Sequence, residues 1–359
     1  MLNPIAGARN LLVECVGVQS GDRLLLMVEP EGAGHYDPAL TSFIADRARE
    51  LGVHVDVMTV QPAGGPESVQ PAVMHALSAA DHTIFLNRIG DQLRFVPLPG
   101  RGTKTMCYAL DLGFLGSEFA TTPYTAWEGI QARLTAQLGR AQSYTLSCAS
   151  GTNLSMQLES VGGAQQRAGA FTVKNFPVMI VPPIIASGLS GTLVLSQALT
   201  STYTHAYEES VLPLSSPLTL TIERGEIVGI QGDPALVAQA RAQFERVGGL
   251  FGGRTWALNS WHAGINAFTF FPRPALADID RWSCVAFGSP RYAHFHMCGS
   301  SPGDICGQVF DPTITFDAEV LWQAGFPAFL TPQEKQSLIA SSGLDPRVFD
   351  ARQDIGIGR

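Results

Sequence analysis

The sequence predicts an α/β N-terminal domain, built on a doubly wound parallel sheet, followed by an α+β domain. Two observations support this fold class. The chain has 359 residues, more than one compact core usually holds, so we expect two domains. Residues 1–145 alternate strand and helix signals, whereas short strands dominate after them. We therefore expect a Rossmann-like domain at 1–145 and an α+β domain at 146–359.

Buried strands and amphipathic helices follow one another in the first domain. We expect strands at 22–30, 53–60 and 81–87, and helices at 36–52, 67–80 and 124–142. Alternating units of this kind place parallel strands side by side in one sheet, because each helix carries the chain back across the sheet. The glycine-rich segments EGAGHYD and PLPGRGT fit neither the dinucleotide-binding nor the P-loop spacing, so they predict turns.

The helix at 36–52 carries signals at both ends. Asp37 can cap its N-terminus, Pro38 suits the first helical position, and Gly52 suits the stop. One face of this helix is apolar and should be buried: it consists of Leu40, Phe43, Ile44, Ala48 and Leu51.

The second domain begins with strand-rich sequence. Residues 216–232 predict a hairpin, because apolar side chains alternate on both sides of a turn at Glu223–Glu226. The segment 233–249 then predicts a helix, with the same Asp-Pro start as the helix at 36–52 and a glycine stop.

Composition excludes several classes of function. The net charge is -8 and no Lys/Arg run occurs, which argues against nucleic-acid binding. The N-terminus lacks the layout of a signal peptide, and no apolar run approaches the ~20 residues of a membrane span. We therefore expect a cytoplasmic protein that does not bind membranes. The cysteines lack a C-x-x-C spacing and favour a reducing compartment over a disulfide framework; they are Cys15, Cys107, Cys148, Cys284, Cys298 and Cys306.

Histidines provide the most specific functional signal. In RYAHFHMCGS, His294 and His296 are two residues apart, so in a strand they point to one face, about 7 Å apart. Metal sites often combine such a pair with a distant third ligand, and His262 in NSWHAGIN can supply it. The spacing alone leaves two interpretations open, a metal site and a chance pair.

Several segments resemble the aminopeptidase T family of metallopeptidases and their relatives, which include 2,5-dihydroxypyridine 5,6-dioxygenase. SCASGTNLSMQLES is similar to the family's GTDL segment, and NFPVMIVPPIIASGLSGTLVLSQAL, the hairpin and the helix after it follow the family's order. NSWHAGIN and AHFHMCG then fall where the family carries metal ligands. The resemblance implies that His262, His294 and His296 bind a metal ion.

Departures from the family pattern are informative. The segment NFPVMI lacks the peptidase glutamate, His262 stands at a second glutamate position, and His296 replaces the aspartate of an H-x-D pair. The resemblance therefore implies the one-metal branch: a ring-cleaving dioxygenase with Fe(II), acting on a small hydroxylated aromatic substrate and O2. Zinc or another divalent metal is the alternative cofactor. Relatives assemble as oligomers, so we expect a homo-oligomer.

Further residues are candidates for supporting roles. His205 and Tyr292 can transfer protons or orient the substrate. Asp304 and Asp311 offer an alternative third metal ligand, although both also suit turns. An aromatic cluster can wall a substrate pocket or belong to the core; it consists of Phe268, Phe270 and Phe271.

Two other functions compete with the dioxygenase hypothesis. A metal-dependent aminopeptidase or amidohydrolase would need an activated water and a carboxylate base, and the missing glutamates count against it. A non-catalytic peptide-binding protein on the same scaffold would explain the loss of family ligands.

Overall fold

A computed structural model describes residues 2–61, 69–94, 96–158, 172–202, 207–299 and 304–357. The α-helices in these ranges are α1 (Pro4–Arg9), α2 (Pro38–Glu50), α3 (Pro71–Ala79), α4 (Ile89–Leu93), α5 (Leu112–Gly116), α6 (Glu118–Thr121), α7 (Tyr124–Leu138), α8 (Pro234–Phe251), α9 (Ile279–Val285) and α10 (Pro332–Ser342). A π-helical segment covers Asn10–Val16, and 3₁₀ turns cover Ala275–Ala277, Ala286–Gly288 and Pro346–Asp350.

The strands are β1 (Arg23–Val28), β2 (His54–Thr59), β3 (His82–Leu86), β4 (Lys104–Cys107), β5 (Ser143–Ser147), β6 (Asn153–Gln157), β7 (Lys174–Phe176), β8 (Ile184–Ile185), β9 (Ser190–Ser201), β10 (Leu212–Glu223), β11 (Glu226–Gln231), β12 (Leu258–Ala263), β13 (Tyr292–Met297), β14 (Ile305–Phe310), β15 (Thr313–Phe316) and β16 (Glu319–Trp322).

The N-terminal part of the chain forms a parallel sheet with the strand order β2-β1-β3-β4-β7, which confirms the predicted α/β architecture. Its central strands are fully buried at Leu24 and Ile84. Beyond the end of β3, the Asn87 amide donates hydrogen bonds to the carbonyls of Val28 and Val60. This side chain thereby ties together the carboxyl ends of three neighbouring strands.

Helix α2 begins where the sequence predicted. Asp37 accepts a hydrogen bond from the Ala39 amide at 2.9 Å and Pro38 is the first helical residue. Gly52 follows with a left-handed φ of 79°, a conformation that costs glycine little. Leu51 was predicted to be buried, but it is 41% exposed because it lies past the last turn.

A large antiparallel sheet has the order β16-β15-β5-β6-β9-β14-β13-β12-β8, and β10 and β11 extend it from β9. Strands β10 and β11 confirm the predicted hairpin, whose turn contains Arg224 and Gly225 in left-handed conformations. Asp233 caps helix α8 by accepting hydrogen bonds from the amides of Ala235 and Leu236. The sheet thus supplies the mixed α+β character predicted for the later residues.

Compact units do not follow a single cut in the chain. One unit comprises Met1–Gly129, Ala170–Met179 and Gln336–Asp345, and the other comprises Ile130–Gly169, Ile180–Lys335 and Pro346–Arg359. The domain boundary at residue 145 stays a prediction.

Among the described residues, every helix is too short or too polar to span a lipid bilayer. All six cysteines are free thiols.

Candidate metal centre

Strand register brings three histidines together. β12 and β13 are antiparallel neighbours, and His262 lies directly opposite His294. Because side chains alternate along a strand, His296 shares the face of His294. The ring centroids are 4.9 Å apart for His262 and His294, 5.1 Å for His262 and His296, and 4.9 Å for His294 and His296. Two adjacent strands therefore present three imidazoles on one face.

The spacing of these rings suits a single ion. One nitrogen from each ring can be chosen so that all three lie within 4.8 Å of one another. Nitrogens bound tetrahedrally at ~2.1 Å from one ion lie about 3.4 Å apart, so binding would draw the widest pair together by no more than about 1.4 Å. All three residues are buried, with exposed fractions of 2%, 8% and 1%. Neutral imidazole nitrogens are common ligands for Fe, Zn, Cu and Ni.

His262 has a defined orientation. Its Nδ1 atom lies 2.9 Å from the carbonyl oxygen of Val181, which can only accept a hydrogen bond. The proton therefore sits on Nδ1, and Nε2 keeps its lone pair for a metal ion. Val181 is placed by the neighbouring β-bridge between Ile180 and Gly264 and by its own amide, which donates to the Ala263 carbonyl.

His296 has side-chain partners on the opposite side of its ring. Its Nδ1 atom lies 3.2 Å from the Thr202 hydroxyl and 3.3 Å from the Cys306 thiol. These two groups also contact each other, at 3.5 Å. A proton on Nδ1 can be shared between them, which again leaves Nε2 to face an ion.

Aromatic rings surround His294. The ring stacks on His262 with an interplanar angle of 18°. The Phe287 ring meets it edge to face with 5.9 Å between the ring centroids, and the centroid of the Tyr292 ring, on the same strand face, lies 5.7 Å from that of His294. These contacts restrict the rotation of the His294 ring.

The sheet has a polar face and an apolar face at this point. Opposite His296 lie Ser260 on β12 and Cys306 on β14, and opposite His294 lies Gln308. On the other face the alternating residues are apolar, and the rings of Trp261 and Phe295 are 6.1 Å apart. Because both faces are covered, all six residues of β13 are buried.

The remaining predicted site residues take different positions. Tyr292 shares the histidine face, and burial raises the pKa of its hydroxyl well above the usual value, so this hydroxyl stays protonated and can donate a hydrogen bond. His205 lies outside the described residues, and its predicted role stays a prediction. Phe268 and Phe271 are both 2% exposed, and Phe268 packs on Phe349 at 5.6 Å, as core residues do.

Neither aspartate joins the histidine group in the described part of the chain. Asp311 forms a bidentate ion pair with Arg291, at 2.7 and 2.9 Å, and a further contact with Arg352 at 3.1 Å. Asp304 is half-buried, and desolvation raises its pKa to about 6. The group that can hold an ion therefore consists of imidazoles alone among these candidates.

Sequence reasoning missed the polar neighbours of the histidines: Thr202, Ser260, Cys306 and Gln308. A period-2 reading of ICGQVF would have placed Cys306 and Gln308 on one strand face. Only the strand pairing shows that this face is the histidine face.

Comparisons with known proteins identify the fold. No protein-family model and no curated protein matches the sequence. Among solved structures, 2,5-dihydroxypyridine dioxygenase from Pseudomonas putida KT2440 is similar with a TM-score of 0.59 and 14% identity, covering 93% of this chain and 99% of its own. AmpT from Thermus thermophilus is similar with a TM-score of 0.53 and 12% identity, covering 90% and 98%. The predicted resemblance is thus confirmed at the level of the fold.

Proposed function

We propose that this protein is a mononuclear non-haem Fe(II) dioxygenase that opens a hydroxylated aromatic ring, in the first place an N-heteroaromatic ring such as a dihydroxypyridine. The observation that carries the proposal is the group of three buried imidazoles without a carboxylate. Its position on a fold similar to that of a dihydroxypyridine dioxygenase supports the same reaction class.

His262, His294 and His296 would hold Fe(II), which would supply open positions for a hydroxylated ring and O2. The chain's own residues prepare this site. His262 and His296 direct Nε2 inward because Val181, Thr202 and Cys306 contact their Nδ1 atoms. Three neutral imidazoles add no negative charge, so the site favours an anionic, deprotonated ring oxygen. Burial on the sheet face keeps competing water away.

A metal hydrolase would need a carboxylate to act as base near the ion. Asp311 is held by two arginines. Asp304, whose pKa is raised to about 6, is not part of the histidine group and is the candidate base that a variant can test. A metal-free binding protein would instead need none of the histidines.

Substrate-dependent oxygen uptake tests the proposal. The chain is purified anaerobically, reconstituted with Fe(II), and supplied with a panel of hydroxypyridines and hydroxybenzoates in an oxygen electrode. We expect one iron per chain and uptake with at least one ring. His262→Ala, His294→Ala and His296→Ala should each lose iron and uptake, whereas His75→Ala, at an exposed position of α3, should keep both.

Other outcomes would identify the alternatives. Stoichiometric zinc with amide hydrolysis, abolished in Asp304→Asn, would indicate a hydrolase. No bound metal, with unchanged behaviour of His294→Ala, would indicate a binding protein. Assembly as a homo-oligomer stays a prediction, which light scattering of the purified chain can check.

A further inference from the structure

The polar face of the central strands carries two buried polar side chains that have no regular hydrogen bond among the described residues. Gln308 is completely buried on β14, directly opposite His294. Ser260 is 2% exposed on β12, directly opposite His296. Among the described residues, the amide nitrogen and oxygen of Gln308 have no hydrogen-bond partner of regular geometry. The same holds for the Ser260 hydroxyl. The Tyr292 hydroxyl lies near enough to the Gln308 amide to interact with it, although without regular hydrogen-bond geometry.

Burying such groups without hydrogen-bond partners destabilises a folded protein. A buried amide gives up its hydrogen bonds to water and recovers none of that free energy unless a partner replaces them. Most buried polar groups in folded proteins therefore have partners. An apolar side chain would fill the position of Gln308 at lower cost, so folding alone does not account for a glutamine there. A ligand beside the histidines does account for it.

The position of Gln308 suits contact with that ligand. Directly paired residues on antiparallel strands have Cβ atoms about 5 Å apart and project side by side from the same face. The Gln308 side chain therefore projects beside the His294 side chain on the histidine face. Since a glutamine amide offers one oxygen acceptor and one N–H donor next to each other, it matches a ligand edge on which a donor and an acceptor are also adjacent.

We propose that Gln308 is a specificity-determining residue, which pairs with the ring N–H and the adjacent oxygen of a 2-oxo or 2-hydroxy N-heteroaromatic substrate. The pairing consists of two parallel hydrogen bonds: the ring N–H donates to Oε1, and Nε2 donates to the ring oxygen. A carbocyclic phenol lacks the N–H and leaves Oε1 unpaired, which a buried site penalises. Ser260, opposite His296, would hydrogen-bond a second ring substituent. This inference rests on the proposed function, because it assigns the ring class on which that site acts.

The test measures anaerobic binding, so that no ring opening occurs. Isothermal titration of the full chain compares 2-pyridone, which carries the N–H and C=O edge, with N-methyl-2-pyridone, in which a methyl group replaces the donor hydrogen. Wild type should bind 2-pyridone about tenfold more tightly, since a net hydrogen bond contributes up to about one order of magnitude in affinity. Gln308→Leu and Gln308→Met should bind both compounds with equal affinity. Gln231→Leu, at an exposed strand position on β11, should retain the wild-type preference.

Thermal melting separates recognition from a structural role. Both Gln308 variants should melt at or above the wild-type temperature without ligand, because they remove a buried amide that has no hydrogen bond of regular geometry among the described residues. A folded variant that keeps the preference for 2-pyridone would overturn the inference, as would equal binding of the two compounds by wild type. If wild type prefers 2-pyridone but shows no oxygen uptake, only the dioxygenase proposal would be contradicted. Oxygen uptake without the preference would contradict only the role of Gln308.

Discussion

Replacing Thr202 with Val and Cys306 with Ala removes the hydroxyl and the thiol that contact Nδ1 of His296. The Val and Ala side chains cannot accept a hydrogen bond from the imidazole N–H. If His296 binds an ion through Nε2, these contacts hold its ring and tautomer, and their loss should weaken metal binding.

The magnitude follows from the two distances. The hydroxyl at 3.2 Å and the thiol at 3.3 Å share one nitrogen, so either can partly replace the other. We expect each single variant to lose about threefold in metal affinity. The double variant should lose about 10- to 100-fold, the range for residues that support metal ligands, which corresponds to ~1.4–2.8 kcal/mol. The losses should therefore not be additive in free energy.

Competitive titration of the metal-free chain with Co(II) against a chelator measures these affinities. Circular dichroism and melting temperatures establish that each variant is folded. Thr145→Val and Cys148→Ala, on and beside strand β5 and away from the histidine face, serve as controls. A folded double variant with wild-type affinity would refute the idea that Thr202 and Cys306 position His296.

Three further predictions concern individual charges. Arg291→Met should lower the free energy of unfolding in urea by about 1–3 kcal/mol, because it breaks a partly buried bidentate pair with Asp311; a change near zero would show that the pair is neutral. Asp233→Ala should cost about 1 kcal/mol by removing the cap of α8, and an unchanged melting temperature would contradict this. Burial raises the pKa of Asp304 to about 6 from 3.8, so the folded chain holds this proton more tightly than the unfolded chain. As the pH rises from about 4 to 6, wild type should therefore lose stability relative to Asp304→Asn. The difference should reach about 1 kcal/mol, discounted for solvent screening, and then level off; a pH-independent difference would argue against the raised pKa.

The sequence predicted the features that depend only on neighbouring residues, such as helix starts and the face of a strand. The Asp-Pro pairs at 37 and 233 marked the starts of α2 and α8, because capping and the fixed φ of proline act within one turn. The spacing of His294 and His296 predicted a shared face, because alternation in a strand needs no tertiary information. The helix expected at 67–80 begins at Pro71 among the described residues, and the one expected at 124–142 ends at Leu138.

The contacts around the histidines depend on long-range strand pairing, which the sequence did not predict. His262 meets His294 through a register that shifts between Leu258 and Ser260, and no local pattern encodes such a shift. The Val181 carbonyl lies 81 residues from His262 in sequence, and Thr202 lies 94 residues from His296. These contacts depend on which strands become neighbours, which only the folded sheet determines.

Anomalous diffraction from crystals loaded with Fe(II) under anaerobic conditions would test the central claim most directly. The account predicts one strong iron peak per chain, about 2.1 Å from one nitrogen of each of His262, His294 and His296. A peak held by other residues, or a histidine face without iron in a fully loaded crystal, would contradict it.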